Sequence, residues 1–197
     1  MKKSTEILIC GDLCPTKDTE HLFKKEDEKG LFNNVLPEFL KSDVLIGNLE
    51  FPLIDNGEGI KKAGPVLKGK SNYIQVLKNA GFNVLGLANN HIKDCGEKGV
   101  LNTLAVCKEN TIDTVGAGEN LEQAKKPLII EKNGWKIGLL AFAEQEFNIA
   151  TKTTAGANYL DPYEDFDAIK NLKEQVDYVI VLYHGGVEYY PYPSPLL

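Results

Sequence analysis

Short apolar runs rich in β-branched residues, separated by longer stretches of helical period, limit what this chain can fold into. The runs fall at Glu6 to Cys10, Val44 to Gly47, Val84 to Leu87, Thr111 to Val115, Leu128 to Glu131, Ile137 to Ala141 and Tyr178 to Tyr183. Runs of this length without polar alternation read as strands buried on both faces. The intervening segments predict helices at Leu31 to Lys41, Ser71 to Ala80, Glu97 to Asn110, Asn120 to Ala124 and Tyr163 to Gln175. An α/β fold follows.

Local signals sharpen the boundaries. Ser71 is placed to cap the second helix, and Gly81 stands where a left-handed residue ends one. Lys132-Asn133-Gly134 carries the Asn-Gly signature of a tight hairpin, which makes the sixth strand antiparallel to the fifth and the sheets mixed. Two long loops, 51–70 and 144–161, exceed what connection requires and suggest function or a lid. The alternate prolines between Tyr189 and Pro195 predict an extended tail.

The totals mainly exclude. With 43% hydrophobic and 25% charged residues the chain has an ordinary globular composition and one domain is expected. A net charge of −6 offers no basic surface for nucleic acid. Cys10, Cys14, Cys95 and Cys107 form no CxxC pair, so free thiols in a reducing compartment are expected. No segment has the length of a signal-peptide core or a membrane helix. The reading is a cytoplasmic protein, or one whose export segment has been removed; nothing in the sequence fixes an oligomeric state.

Chemistry concentrates where strands end, because loops leaving a rigid sheet converge there. The first strand delivers Gly11 and Asp12, where a turn or capping role would serve equally. The second ends in Asn48 and Glu50, two residues apart and therefore able to share a face. The third runs into Asn89, Asn90 and His91, with Asp94 following: amides as neutral ligands and an imidazole as proton carrier. The last closes on His184, whose polar ring at the end of an apolar strand needs a partner. Together these supply mixed oxygen and imidazole donors, suited to Mn²⁺, Fe or Zn²⁺.

The series GD, NLE, NNH with a following D and G, and HGGVE, taken in order over nearly the entire chain, resembles the motifs of the CapA family of poly-γ-glutamate capsule synthesis proteins. The resemblance implies a calcineurin-like metallophosphoesterase αββα sandwich with mixed sheets, spanning residues 1–197 as a single domain that lacks its C-terminal part. It implies a phosphoesterase-like, metal-dependent hydrolase tied to capsule biosynthesis, and admits association with the bacterial cell surface. Asp12, Asn90 and His184 would be ligands of one or two divalent ions, with Glu50 or Asn48 at the bridging carboxylate position and His91 as proton donor. Two positions depart from the superfamily pattern. Cys14 stands where a histidine is usual, and no GHxH pair follows His184. One ion held by Asp12, Glu50, Asn90 and His184 is the set that remains.

The substrate expected is a small phosphoester or an acidic polymer. The alternative is a non-catalytic accessory that binds polyglutamate in the same cleft, with Lys61, Lys62, Lys68 and Lys70 on the first long loop as cations, unless that loop is simply solvated. Asn89 and Asp94 are further candidates. Glu188 is open between ligand, partner to His184 and rim.

Overall fold

The computed structural model describes residues 2–187 and 189–193. Strands β1 (Ile7–Leu13), β2 (Val44–Leu49), β3 (Val84–Gly86) and β4 (Asp113–Val115) form a parallel sheet in sequential order. Crossovers between parallel neighbours share one hand, so a sequential order places every connecting helix on the same face. Those helices are α1 (Glu20–Lys25), α2 (Glu28–Phe32), α3 (Leu36–Phe39), α4 (Ile74–Asn79) and α5 (Gly96–Glu109).

The opposite face is left for a second sheet. After β5 (Ala117–Gly118) and α6 (Leu121–Ala124), strands β6 (Leu128–Lys132) and β7 (Trp135–Ala143) form the hairpin. A short β8 (Gly156–Ala157) pairs with β5. Helix α7 (Pro162–Lys173) then leads to β9 (Tyr178–His184), parallel to β7, which makes the sheet order β6-β7-β9 mixed.

The alternation of side chains gives three apolar layers. Leu45, Leu49 and Leu85 face the helices; Val44, Ile46 and Val84 face Ile137, Leu139 and Ala141 across the sheets; Leu140 and Phe142 face Leu172 of α7. The architecture is the expected αββα sandwich.

Local outcomes follow backbone chemistry. Asn133 and Gly134 have φ of 54° and 87°, the pair of positive values that a type I′ hairpin turn requires. Gly81 has φ of 98°, and the Phe82 N–H returns to the Leu77 carbonyl, closing α4 as a Schellman motif. Ser71 does not cap that helix. It is the first residue of a 3₁₀ turn, its N–H donating to Asp55 and its hydroxyl accepting from Asn102. The helix expected over Leu31 to Lys41 is broken: Asn33 takes φ of 47°, and Pro37, without an N–H, sits in the first turn of α3. The strand expected from Thr111 starts at Asp113, because Thr111 at φ of 62° is still closing α5. All four cysteines are free. Among the described residues no helix is long and apolar enough to cross a membrane.

Candidate functional site

The carboxyl ends of β1, β2, β3 and β9 meet on one rim. Leu13 lies beside Leu49 and Asp12 beside Asn48 in the parallel register, which sets the first two motifs side by side. A shift of register between Ile9 and Asp12 bends β1 there and turns Asp12 toward the neighbouring strand ends.

Asp12, Glu50 and His184 each offer a ligand atom, all within 4.8 Å of one another. His184 Nδ1 lies 3.1 Å from Asn48 Nδ2 and 3.5 Å from Asp12 Oδ1, while Nε2 lies 3.1 Å from Asn90 Oδ1 and 3.4 Å from Glu50 Oε1. Three oxygens therefore crowd one imidazole. In this structure Nε2 is placed to donate to Asn90 and Nδ1 faces the Asn48 amide, and the same hard oxygen and imidazole donors suit a divalent cation.

The electrostatics describe the same crowding. The His184 ring beside it holds the Asp12 carboxyl below its ordinary range against partial burial, with Asn48 contributing. Burial, then the Asp12 charge, push Glu50 up. Burial works against a charged His184, but Asp12, Glu50 and Glu146 outweigh it and raise the ring. Cys14 is pushed up to about 11 by burial and by Glu50, Asp12 and Asp94, so it stays a thiol at neutral pH, and it lies outside the three-residue group.

The asparagines hold the group from behind. Asn48 donates to Asp12 at 2.6 Å and accepts from Asn89, whose amide also donates to the Leu49 carbonyl. His91 lines the cleft beside Asn90 without belonging to the ligand group. Its Nδ1 is 2.7 Å from Asp94 Oδ2, which leaves Nε2 without a hydrogen-bond partner among the described residues. Asp94 is thus a partner of His91 and lies apart from the group of Asp12, Glu50 and His184.

The lysines separate. Lys61 is exposed. Lys68 and Lys70 donate to the carbonyls of Gly57 and Asp55 within their own loop. Lys62, expected as a cation for polymer in the cleft or else solvated, has its side chain buried against Asp94 and does not line the cleft. Glu188 lies outside the described residues.

The cleft above the ligand group, about 540 Å³, includes residues that the motif reading passed over. Glu144 leaves the end of β7 and accepts from the Tyr183 hydroxyl at 2.9 Å; Glu146, Tyr190 and Tyr192 complete the rim. A signal for Glu144 existed, since a carboxylate directly after a buried apolar strand is the same pattern that marked Asp12.

Residues 6–196 match the family model described as bacterial capsule synthesis protein PGA_cap. The chain is 33% identical over 196 residues to the capsule biosynthesis protein CapA of Bacillus anthracis, covering 95% of this chain and 48% of that protein. It is 33% identical over 184 residues to the PGA biosynthesis protein CapA of Bacillus subtilis, covering 91% and 48%. The chain therefore spans about half the length of the curated relatives it matches. Among solved structures, the 5′-nucleotidase precursor of Thermus thermophilus aligns with a TM-score of 0.51 at 16% identity, over 91% of this chain and 37% of that one. This likeness shows a metallophosphoesterase-like fold. With the model match running almost from end to end and the strand-end motifs gathered on one rim, the chain belongs to the bacterial capsule synthesis protein PGA_cap family.

Proposed function

We propose that this chain is the metal-binding, hydrolytic part of a protein acting in bacterial capsule or poly-γ-glutamate biosynthesis, cleaving a phosphoester or a related linkage. The observation that carries this reading is the convergence of Asp12, Glu50 and His184, with Asn90 beside them, from separate strand ends. In it these four residues hold one or two divalent cations, Mn, Fe or Zn. Such a cation, when bound, supplies Lewis acidity toward a phosphoryl oxygen and makes water a nucleophile near neutral pH.

The rest is done by the chain itself. Asn48 and Asn89 fix the orientation of Asp12 and His184, as groups behind a metal site commonly do. His91, with its Nδ1–H held by Asp94, presents Nε2 to the cleft; there Nε2 takes up a second proton from solvent, the resulting imidazolium being paired with the Asp94 carboxylate, and hands it to the departing oxygen.

The alternative, a non-catalytic polyglutamate binder, has less support. Among the described residues the cleft is lined by Asp12, Glu50, Glu144 and Glu146 and by no lysine or arginine. An acidic polymer would meet like charge there unless cations screened it.

The test is metal content by elemental analysis, for wild type and His184→Ala, together with hydrolysis of a chromogenic phosphodiester in Mn²⁺. About one equivalent or more of metal, lost in the variant, with turnover abolished by His91→Ala, is the expected result. A chain that takes up no metal on addition overturns the reading.

A further inference from the structure

The long loop after β2 buries a lysine. The Lys62 side chain is 3% exposed, and an ammonium withdrawn from water is costly unless it is paired. Its Nζ lies 2.5 Å from Asp94 Oδ1 and 3.1 Å from His91 Nδ1. Asp94 is fully buried, and its Oδ1 makes no hydrogen bond of good geometry, so the contact with Lys62 is an ion pair first. The other oxygen, Oδ2, accepts from the Leu67 N–H at 2.7 Å, and the Asp94 carbonyl accepts from the Ile60 N–H at 2.8 Å. Residues 60, 62 and 67 thus all close on one aspartate.

We propose that Lys62 is a positioning residue for His91, acting through Asp94. The proposal rests on the reading of His91 as the proton carrier. Two neighbours of Nδ1 make opposite demands, since the Asp94 carboxylate at 2.7 Å only accepts and the Lys62 ammonium at 3.1 Å only donates; the shorter contact, with the ammonium already engaged by Oδ1, decides for the ring proton on Nδ1. The opposite tautomer would set two lone pairs against each other at that distance. Hydrogen bonds and pairing to His91, Lys62 and Leu67 keep the Asp94 carboxyl below its ordinary value in spite of burial, consistent with this charge state. Lys62 on Oδ1 and the Leu67 N–H on Oδ2 fix the carboxylate plane, and that plane fixes the ring. Lys62 is not among the residues lining the cleft, so its effect passes through ring orientation and not through contact with substrate.

The test reads the ring directly. In ¹⁵N NMR of the 197-residue chain, His91 is expected as a single Nδ1–H tautomer, with its ring proton protected from exchange. Lys62→Met is expected to give averaged ring signals, and Lys62→Arg to restore them. With the chain loaded with Mn²⁺, Lys62→Met is expected to lower kcat about tenfold with KM and metal content unchanged, a smaller loss than the ~10²–10⁴-fold expected of a proton-transfer group itself.

If Lys62→Met does not melt cooperatively, Lys62→Gln replaces it. An Nε2–H tautomer in the wild type, ring signals unmoved by loss of the lysine charge, or a change in KM or metal content alone would each overturn the proposal. Absence of hydrolysis by every form, with the ring signals as expected, would sink the hydrolase reading and leave the clamp standing.

Discussion

The two walls of the cleft are built differently. On the β3 side, Asn89, His91 and Asp94 are buried and every ring or carboxylate contact leads to another fixed group. On the other side the Asp12 side chain is 52% exposed, and the strands that carry Asp12 and His184, β1 and β9, are sheet edges, each paired on one side only among the described residues. The second sheet has three strands against four, so the inward face of β1 is covered only in part: Ile7 packs between the sheets, whereas Ile9 is 53% exposed. A groove of about 230 Å³ opens there between Ile9, Ile46, Ala141 and Val181. The difference teaches a division of labour. The His91 wall is organised by the fold before any ligand arrives, whereas the donor wall of Asp12, Glu50 and His184 consists of groups bonded to each other, bonds that under the proposed function are exchanged for a cation.

The largest effect that tests this contrast is Asp94→Ala. It strands Lys62 and His91 without their carboxylate, and removing one partner of a buried pair costs about 3–5 kcal/mol. Asp12→Ala, on the exposed wall, should cost at most about 1 kcal/mol. Urea denaturation of both decides it, and equal losses would break the comparison.

A second contrast is ligand dependence. Metal at a hundredfold over its Kd should add about 2.7 kcal/mol to wild-type stability. His184→Ala should lose that increment while Asp94→Asn, on the preformed wall, keeps most of it. Calorimetric melts with and without Mn²⁺ read both.

The third is pH. Asp94 titrates below its unfolded value of about 3.9, so its contribution is complete above that pH and is lost as pH falls through the folded value. On the donor wall Asp12 is also lowered, but Glu50 is raised and acts with the opposite sign: its contribution is present below about 4.3 and lost as pH rises through its folded value. The two offset each other. Asp94→Asn should therefore flatten the acid limb of the stability profile more than Asp12→Asn does.

The donor wall was the legible one. Asp12, Asn48 and Glu50 close the first two strands, and a parallel sheet in sequential order brings such ends together; His184 closes β9 of the second sheet and joins them because the two sheets pack face to face. The hairpin and Gly81 were equally readable, because positive φ selects the residue. The preformed wall was only half legible. His91 and Asp94 are neighbours in sequence, but Lys62 reaches them from a loop of Gly, Lys and Asp that looks solvated, and nothing local marks one lysine among Lys61, Lys62, Lys68 and Lys70 as the buried one. That pairing is a tertiary fact. The break at Asn33 was written in the chain, since Pro37, four residues on, cannot return an N–H to the Asn33 carbonyl.

The smallest effect is carried by two thiols. Cys107 is pushed up to about 12 by burial alone, whereas Cys14, up to about 11, owes part of its shift to Glu50, Asp12 and Asp94. At pH 8 neither should react appreciably with iodoacetamide in the native chain, because the thiolate is the nucleophile. Metal should separate them. A cation among Asp12 and Glu50 cancels the charge that suppresses Cys14, so its labelling, followed by mass spectrometry, should rise by a small factor on adding Mn²⁺ while Cys107 stays silent. Should Cys14 instead become more protected, its sulfur would have joined the donors at the position where the superfamily places a histidine, and the exposed wall would hold one ligand more than its carboxylates and imidazole provide.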